Sequence, residues 1–419
     1  MLHDDTPPLS SDSSDDEMLM EDYAYEVIDV DEAGGEIEDL SDNENDTDVP
    51  MGNSTQDEDA AYIFRGHNDK SSVFCCSLSK NNELAATGSE EDKALVWNTV
   101  SGEILFECTG HKDSVIFVGF NFNDTYLASA DMAGTIKLWQ VRDKACIWDT
   151  SLDDIDWMKW HDSANVLLAA VQTGEVYMFK MPEGTCRVFP QVHGDRAQTG
   201  VILPDGKRIA LGYLSGMIRV LDLRTGTALS TVEKDPTGLH RHSNCITSLD
   251  CYTDNNLLIS TSVNGKTMLS SANNGKVISI LQDLNANKGI SNPELNNFSV
   301  EVAAFCKDPT FPVAATGTIE NSSGKVYIWD IPRQVLRQEI FQEGGVTRLA
   351  WTSTSILFTT GLDGVLRSFD ARAGSCLRSF SGHKGVILDL YISRDEKKAL
   401  TVSDDSTARI FDISSIPVT

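Results

Sequence analysis

The stretch GHKDSVIFVGFNFNDTYLASADMAGTIKLWQ, residues 110–140, reads as one structural unit. A Gly-His pair leads into the short apolar run DSVIFVGF (113–120). A turn and a second apolar run follow, then a tight polar turn and TIKLWQ (135–140), which closes on an aromatic residue. Short β-branched and aromatic runs bounded by Gly, Asn and Asp are strand and turn signals. The same order recurs after Gly66-His67, with SSVFCCSL (71–78) and KALVWN (93–98), and after Gly382-His383, with GVILDLYI (385–392) and TARIFD (407–412). Weaker copies fill the space between.

Aligned on the closing residue, the copies end at Trp97, Trp139, Phe179, Leu221, Leu269, Trp329, Phe369 and Phe411, at intervals of 42, 40, 42, 48, 60, 40 and 42 residues. This period resembles that of the WD40 repeat, and the resemblance covers the chain from about residue 61 onward. It implies an all-β, eight-bladed β-propeller over residues 61–419. Each copy supplies three inner strands and an outer one, such as ILFEC (104–108), ALSTV (228–232) or CLRSF (376–380). The last copy ends at residues 411–413 without room for an outer strand. AYIFR, 61–65, precedes the first Gly-His and is expected to pair with the last blade, closing the ring and leaving no open sheet edge. A monomer is therefore expected.

The two long intervals place insertions near 233–244 and 283–298, with a smaller bulge at 319–324. The first two fall where an outer strand passes to the next inner strand, on the top face of a WD propeller. They read equally as partner-recognition loops or as tolerated surface padding. In a consensus WD repeat, the His after Gly, a Ser on the second strand, an Asp in the tight turn and the closing Trp form a hydrogen-bonded set. The first copy offers His67, Ser89, Glu91 and Trp97; the last offers His383, Ser403, Asp405 and Phe411. Only these two approach the full set, and Phe411 leaves the last one bond short. With His111, Trp139 and Trp329 they are read as blade fasteners, not catalytic dyads.

The net charge of −29 is unevenly distributed: 22 of the 63 acidic residues and none of the 34 basic ones lie in residues 1–60, which leaves −7 on residues 61–419. A segment of that charge with few aromatic residues is expected to be a disordered acidic tail. Within it, Ser13, Ser14 and Ser41 each have an acid three residues on, so phosphorylation by acid-directed kinases is expected there. EVIDVDE (26–32) alternates apolar and acidic residues and reads either as a docking motif or as solvated spacer. Scarce basic clusters argue against direct nucleic-acid binding. The acidic opening MLHDDTPPLS is no secretory signal, and apolar runs such as VLLAAV (166–171) are too short to span a bilayer. The nine scattered cysteines lack any CxxC spacing, so small buried packing residues in a reducing compartment are expected. A cytoplasmic protein follows, present also in the nucleus or at the cytoplasmic face of the cell membrane.

The sequence holds no GxGxxG after a strand, no GxxxxGK[ST], no HExxH and no GxSxG, so neither an enzyme nor a cofactor is expected. His240 and His242 flank Arg241 in an inserted loop, and a cation between two ligands disfavours a metal. What stands out is acid at particular places. Asp113 lies in a leading loop, Asp153 and Asp154 in the next one. Glu90, Glu91, Asp131, Asp363, Asp404 and Asp405 occupy tight turns before third strands. In a WD propeller these loops and turns share the top face, so the carboxylates would converge on one side. Such a ring favours a basic peptide; the alternative is that each acid caps its own turn. Trp157 reads as core or as an anchor beside the acids.

Several stretches are more specific than a generic repeat: SVFCCSL (72–78), TGSEEDKALVW (87–97), GEILFECTGHKDSV (102–115), ADMAGTIKLWQV (130–141), DIDWMKWH (154–161), LPDGKRIALGY (203–213), GLDGVLRSFDARAG (361–374) and GHKGVILDLYISRD (382–395). Together with an acidic tail before eight copies, they resemble the angio-associated migratory cell protein family and its fungal ribosome-assembly counterpart. That resemblance implies a non-enzymatic scaffold. The fungal branch implies a dedicated chaperone, with Asp113, Asp154 and Asp404 matching its binding positions and a basic segment of a large-subunit ribosomal protein as partner. The animal branch implies a signalling scaffold in cell migration and angiogenesis.

Overall fold

A computed structural model describes residues 59–189, 191–192, 194–232, 241–284 and 298–416. The expected tail with Ser13, Ser14, Ser41 and the segment 26–32, and most of both long insertions, lie outside the described residues. So does the unit comprising residues 1–53. All regular secondary structure among the described residues is strand, and it forms eight four-stranded antiparallel sheets, the blades of a β-propeller.

The chain runs through each blade from its inner strand outward. In blade one, Val73–Leu78 pairs with Leu84–Ser89, then Ala94–Asn98, then Ile104–Cys108. All eight closing residues found by the sequence period are buried. Each sheet packs on a neighbour through both faces, so its second and third strands are buried at nearly every residue. Blade eight takes its outer strand from the front of the chain. Tyr62–Phe64 pairs with Ala408–Asp412, and the Phe64 ring stacks 4.2 Å from that of Trp97 in blade one. Asp59 and Ala60 belong to this packed body as well: Asp59 accepts from the Ser381 amide at 2.9 Å and pairs with Arg378 at 3.6 Å.

A bulge recurs in every inner strand, after the first residue in seven blades, as between Val73 and Cys75 and between Ile155 and Trp157, and after the third, Val300, in blade six. The extra residue is unpaired and re-aims its side chain. The residue before the bulge, from Val73 through Val300 to Ile387, is buried in all eight blades. Neighbouring blades are joined by polar links, Trp160 donating to the Gly119 carbonyl at 2.8 Å and Trp351 to that of Ala304 at 3.0 Å from the ends of their strands, and the bulge residue Thr347 to that of Ile387 at 2.8 Å.

The fasteners differ from the sequence expectation. The hydroxyl that receives the histidine is not Ser89 or Ser403 but the residue two places earlier. His67 Nε2 lies 2.8 Å from Thr87 Oγ1, and His383 Nε2 lies 2.8 Å from Thr401 Oγ1. Ser89 and Ser403 cap their own turns instead. Glu91 does not reach His67; it accepts from the Asn68 amide, and Nδ1 of His67 has no hydrogen-bond partner among the described residues. The complete set lies in blade two, where His111 contacts Asp131 at 3.3 Å and Ser129 at 2.8 Å, and Trp139 donates to Ser129 at 2.9 Å. Asp131 ends its strand, so its acid-to-tryptophan spacing is two residues longer than in blade one. In blade eight His383 Nδ1 meets Asp405 at 2.9 Å and Phe411 packs against Phe380, as the missing indole requires. Blade six keeps the Trp329 bond to Thr316, at 3.0 Å.

Two further expectations are corrected. The bulge at 319–324 is the tip of a hairpin between long strands, Val313–Glu320 and Gly324–Asp330, closed by the Glu320 amide donating to the Ser323 carbonyl at 2.8 Å. Cysteines are not uniformly buried: Cys146, Cys186 and Cys376 are exposed on outer strands, which have only one covered face.

Candidate protein-binding face

The leading loop of each inner strand and the turn between second and third strands meet at one end of the blade. A backbone bond ties them in repeated fashion: Glu90 to Ser72, Met132 to Ser114, Gln172 to Asp154, Leu214 to Arg196, Val263 to Cys245, Leu362 to Gly345 and Asp404 to Val386. Turns also touch the neighbouring blade. Gly134 has φ +89°, and a Cβ there would fall 2.2 Å from the Leu152 carbonyl oxygen, which leaves glycine as the residue that fits. The sequence-predicted acids therefore share one face of the propeller.

They divide by what they already do. Asp131 is fully buried and accepts from His111 and from the amides of Lys112 and Thr135. Asp405 is engaged by His383, Thr407 and the Lys384 amide; burial works to raise its pKa, but these partners outweigh it and hold the carboxyl well below the ordinary range. Neither presents a carboxylate outward, so both leave the expected binding set and join the fasteners. Glu91 pairs with Lys93 at 3.4 Å, and Asp363 is neutralised by Arg367 at 2.5 Å. Glu90, Asp113, Asp153, Asp154 and Asp404 are exposed. Asp113 accepts only its neighbour's amide, Ser114, and Asp153 a hydroxyl hydrogen from Thr173. The carboxylates of Asp154 and Asp404 form no hydrogen bond or ion pair with any described residue.

Below this face the inner strands enclose a cavity of about 420 Å³ lined by Phe74, Ile116, Phe117, Trp157, Asp156 and Asp389, among others. Trp157 is fixed by its donation to the Ala197 carbonyl at 2.8 Å and by its indole lying against Gly200. Its anchor and core readings thus combine in one residue that packs between blades and lines the opening. Sequence reasoning passed over Asp156 and Asp389. Asp156 is the bulge residue of its strand and meets Arg196 at 2.5 Å. Asp389 accepts from the Cys76 amide at 3.1 Å and pairs with Arg348 at 3.2 Å. The signal was present: each is an acid inside an apolar inner-strand run.

His242 is also recast. Its Nδ1 lies 3.0 Å from Ser262 and its Nε2 2.8 Å from Ser260, so both ring nitrogens are occupied within blade five. Burial keeps it neutral, with its pKa lowered to about 3. His240 lies outside the described residues. Among the described residues no group of three or more His, Cys, Asp or Glu is arranged to hold a metal ion.

Eight four-stranded sheets with these fasteners define a WD40 β-propeller, a class of interaction scaffold that is generally non-catalytic. The WD domain, G-beta repeat family matches residues 59–98, 102–140 and 374–412. The chain belongs to the angio-associated migratory cell protein family: it is 35% identical to the human protein of that name over 97% of this chain and 96% of the relative. In fold it is similar to Saccharomyces cerevisiae Sqt1, with a TM-score of 0.72 and 19% identity, covering 85% of this chain and 99% of that one. It is similar as well to Chaetomium thermophilum Sqt1 bound to the N-terminus of the ribosomal protein L10, with a TM-score of 0.71 and 19% identity, covering 85% and 100%.

Proposed function

We propose that the acidic face receives a basic, extended segment of a large-subunit ribosomal protein, and that the protein is its dedicated chaperone during ribosome assembly. The observation that carries this reading is the set Asp113, Asp154 and Asp404: exposed carboxylates on one face, two of them forming no hydrogen bond or ion pair with any described residue. Unspent charge converging above an aromatic-lined opening steers a cationic chain and rejects anionic competitors such as RNA. The solved fungal relative in complex with the L10 N-terminus supports the choice of client. The chaperone would act as a monomer in the cytoplasm.

The test is affinity capture with the full chain and with its Asp113→Lys/Asp154→Lys/Asp404→Lys variant. Wild type should retain a basic ribosomal protein, and the variant should lose it. Raising salt should weaken capture, since exposed charges are screened beyond about 8–10 Å at physiological ionic strength. An unchanged set of partners in the variant overturns the reading. The names of the animal relatives support a second one, a scaffold in cell migration; it predicts non-ribosomal partners.

A further inference from the structure

The cavity of about 420 Å³ below the acidic face has walls that the acids above it do not explain. Phe74 and Ile116, which line it, are the bulge residues of the inner strands of blades one and two, as Asp156 is in blade three. A bulge takes its extra residue out of the ladder and re-aims the side chain. In blades five and seven that residue is a threonine, and Thr247 and Thr347 donate to the carbonyls of Val300 and Ile387 in the next blade. Phe74 and Ile116 have no polar group to spend in this way. They stay half-buried at the opening, together with Phe117 and Trp157.

The charges in the wall are already paired. Asp156 meets Arg196 at 2.5 Å, and Asp389 meets Arg348 at 3.2 Å and the Cys76 amide at 3.1 Å. Ser77 accepts from the Phe120 amide at 3.3 Å, and the indole N–H of Trp157 is given to Ala197. A cationic side chain entering here would lose its water without meeting an unspent carboxylate. An apolar one would cover Phe74, Ile116 and Phe117 and remove their surface from water.

We propose that this cavity is a specificity pocket for one aromatic side chain of the segment bound on the acidic face. The inference rests on the reading that this face receives a basic, extended segment. Its strand Ile155–Trp160 begins directly after Asp154, so the pocket opens beside an unspent acid. Asp113, Asp154 and Asp404 take the cations of the segment, and Phe74, Ile116, Phe117 and Trp157 hold the ring. Ligand pockets span about 300–1,000 Å³, so the cavity has room for one large side chain and none for folded chain. Rings in the wall favour a ring, through offset or edge contacts added to the buried area. The client is then recognised as a basic stretch interrupted by an aromatic residue, and a uniformly basic chain is a poorer ligand.

Fluorescence polarisation with the full chain tests the assignment. The probes are short labelled peptides of alternating Arg and Gly, in which a single Phe is moved through successive positions. Ala and Arg at the same positions serve as controls. At one register Phe should tighten binding by about tenfold or more over Ala, and over Arg as well. Ile116→Trp, which fills the cavity, should remove that preference while the Ala peptide binds as before. Phe74→Ala should reduce it too, and it carries the same reading should Ile116→Trp fail to fold, because Phe74 is only half-buried. Equal binding of Phe and Ala peptides at every register, or an unchanged preference in the cavity variants, overturns the pocket. If those peptides are nonetheless lost on Asp113→Lys/Asp154→Lys/Asp404→Lys, the reading of the acidic face stands without it. Tighter binding of Arg than of Phe at the preferred register shows a cationic occupant and also overturns the pocket. No binding of any peptide overturns both.

Discussion

His242 and Ser260 stand eighteen residues apart in sequence and 2.8 Å apart in space, and the same separation joins His111 to Ser129 and His383 to Thr401. The relationship makes His242 the fastener of blade five, although no Gly precedes it and Leu269 closes the blade without an indole. Each histidine ties a leading loop to the second strand of its own blade, and so fixes the loop that the acidic face is made of.

Acid should loosen these fasteners. Burial lowers His242 from 6.5 to about 3 and His67 from 6.5 to about 4. Between pH 6.5 and about 4 the unfolded chain binds more protons than the fold at both positions, so stability is complete above 6.5 and is lost as pH falls. Each histidine should contribute a slope of about 1.4 kcal/mol per pH unit across that window. Denaturant midpoints measured from pH 7.5 to 4.5 check this, and a His242→Gln variant should show a shallower slope than wild type.

Asp131 and Asp154, two acids of one face, should separate cleanly. Asp131→Ala strands His111 and the Lys112 and Thr135 amides and should cost about 3 kcal/mol or more. Asp154→Lys should leave stability within about 0.5 kcal/mol. Thermal melts of the two variants decide; equal losses would contradict the division of the acids.

The ring seam should be a stability hinge. Phe64 is 3% exposed and stacks on Trp97, so Phe64→Ala should cost about 3–5 kcal/mol. Deleting residues 61–65 should lower the melting temperature further, because the Ala408–Asp412 strand then loses its partner. A melting temperature unchanged by the deletion would show that the ring closes some other way.

Trp139→Phe tests the complete fastener of blade two. It removes the indole donor to Ser129 while keeping most of the buried ring, and should destabilise by about 1 kcal/mol plus a small packing loss. Trp97→Phe, whose bond to Thr87 is longer at 3.3 Å, should cost less.

Repetition made the architecture legible. The closing residues, the blade number and the spare strand at 61–65 follow from local patterns, because strand, turn and period are properties of consecutive residues. The acids' common face was readable for the same reason: each sits at a fixed place in its copy. What each acid does was not readable. Asp131 and Asp404 look alike in sequence, yet one is spent on a histidine and two amides and the other faces solvent. Asp389 meets the Cys76 amide from 313 residues away, and Asp156 is turned toward Arg196 by a bulge that no local pattern announces.

The sequence by itself determined an eight-bladed ring with acid gathered at one end, since eight copies of a strand-and-turn unit with a spare strand at the front close as a propeller of that number. Only the tertiary structure decided which carboxylates remain unspent, which histidines are fasteners, and that Asp156 and Asp389 are paired with arginines at the channel wall. Those outcomes depend on where bulges aim side chains and on which blade lies alongside. Both arise from contacts between residues far apart in the chain.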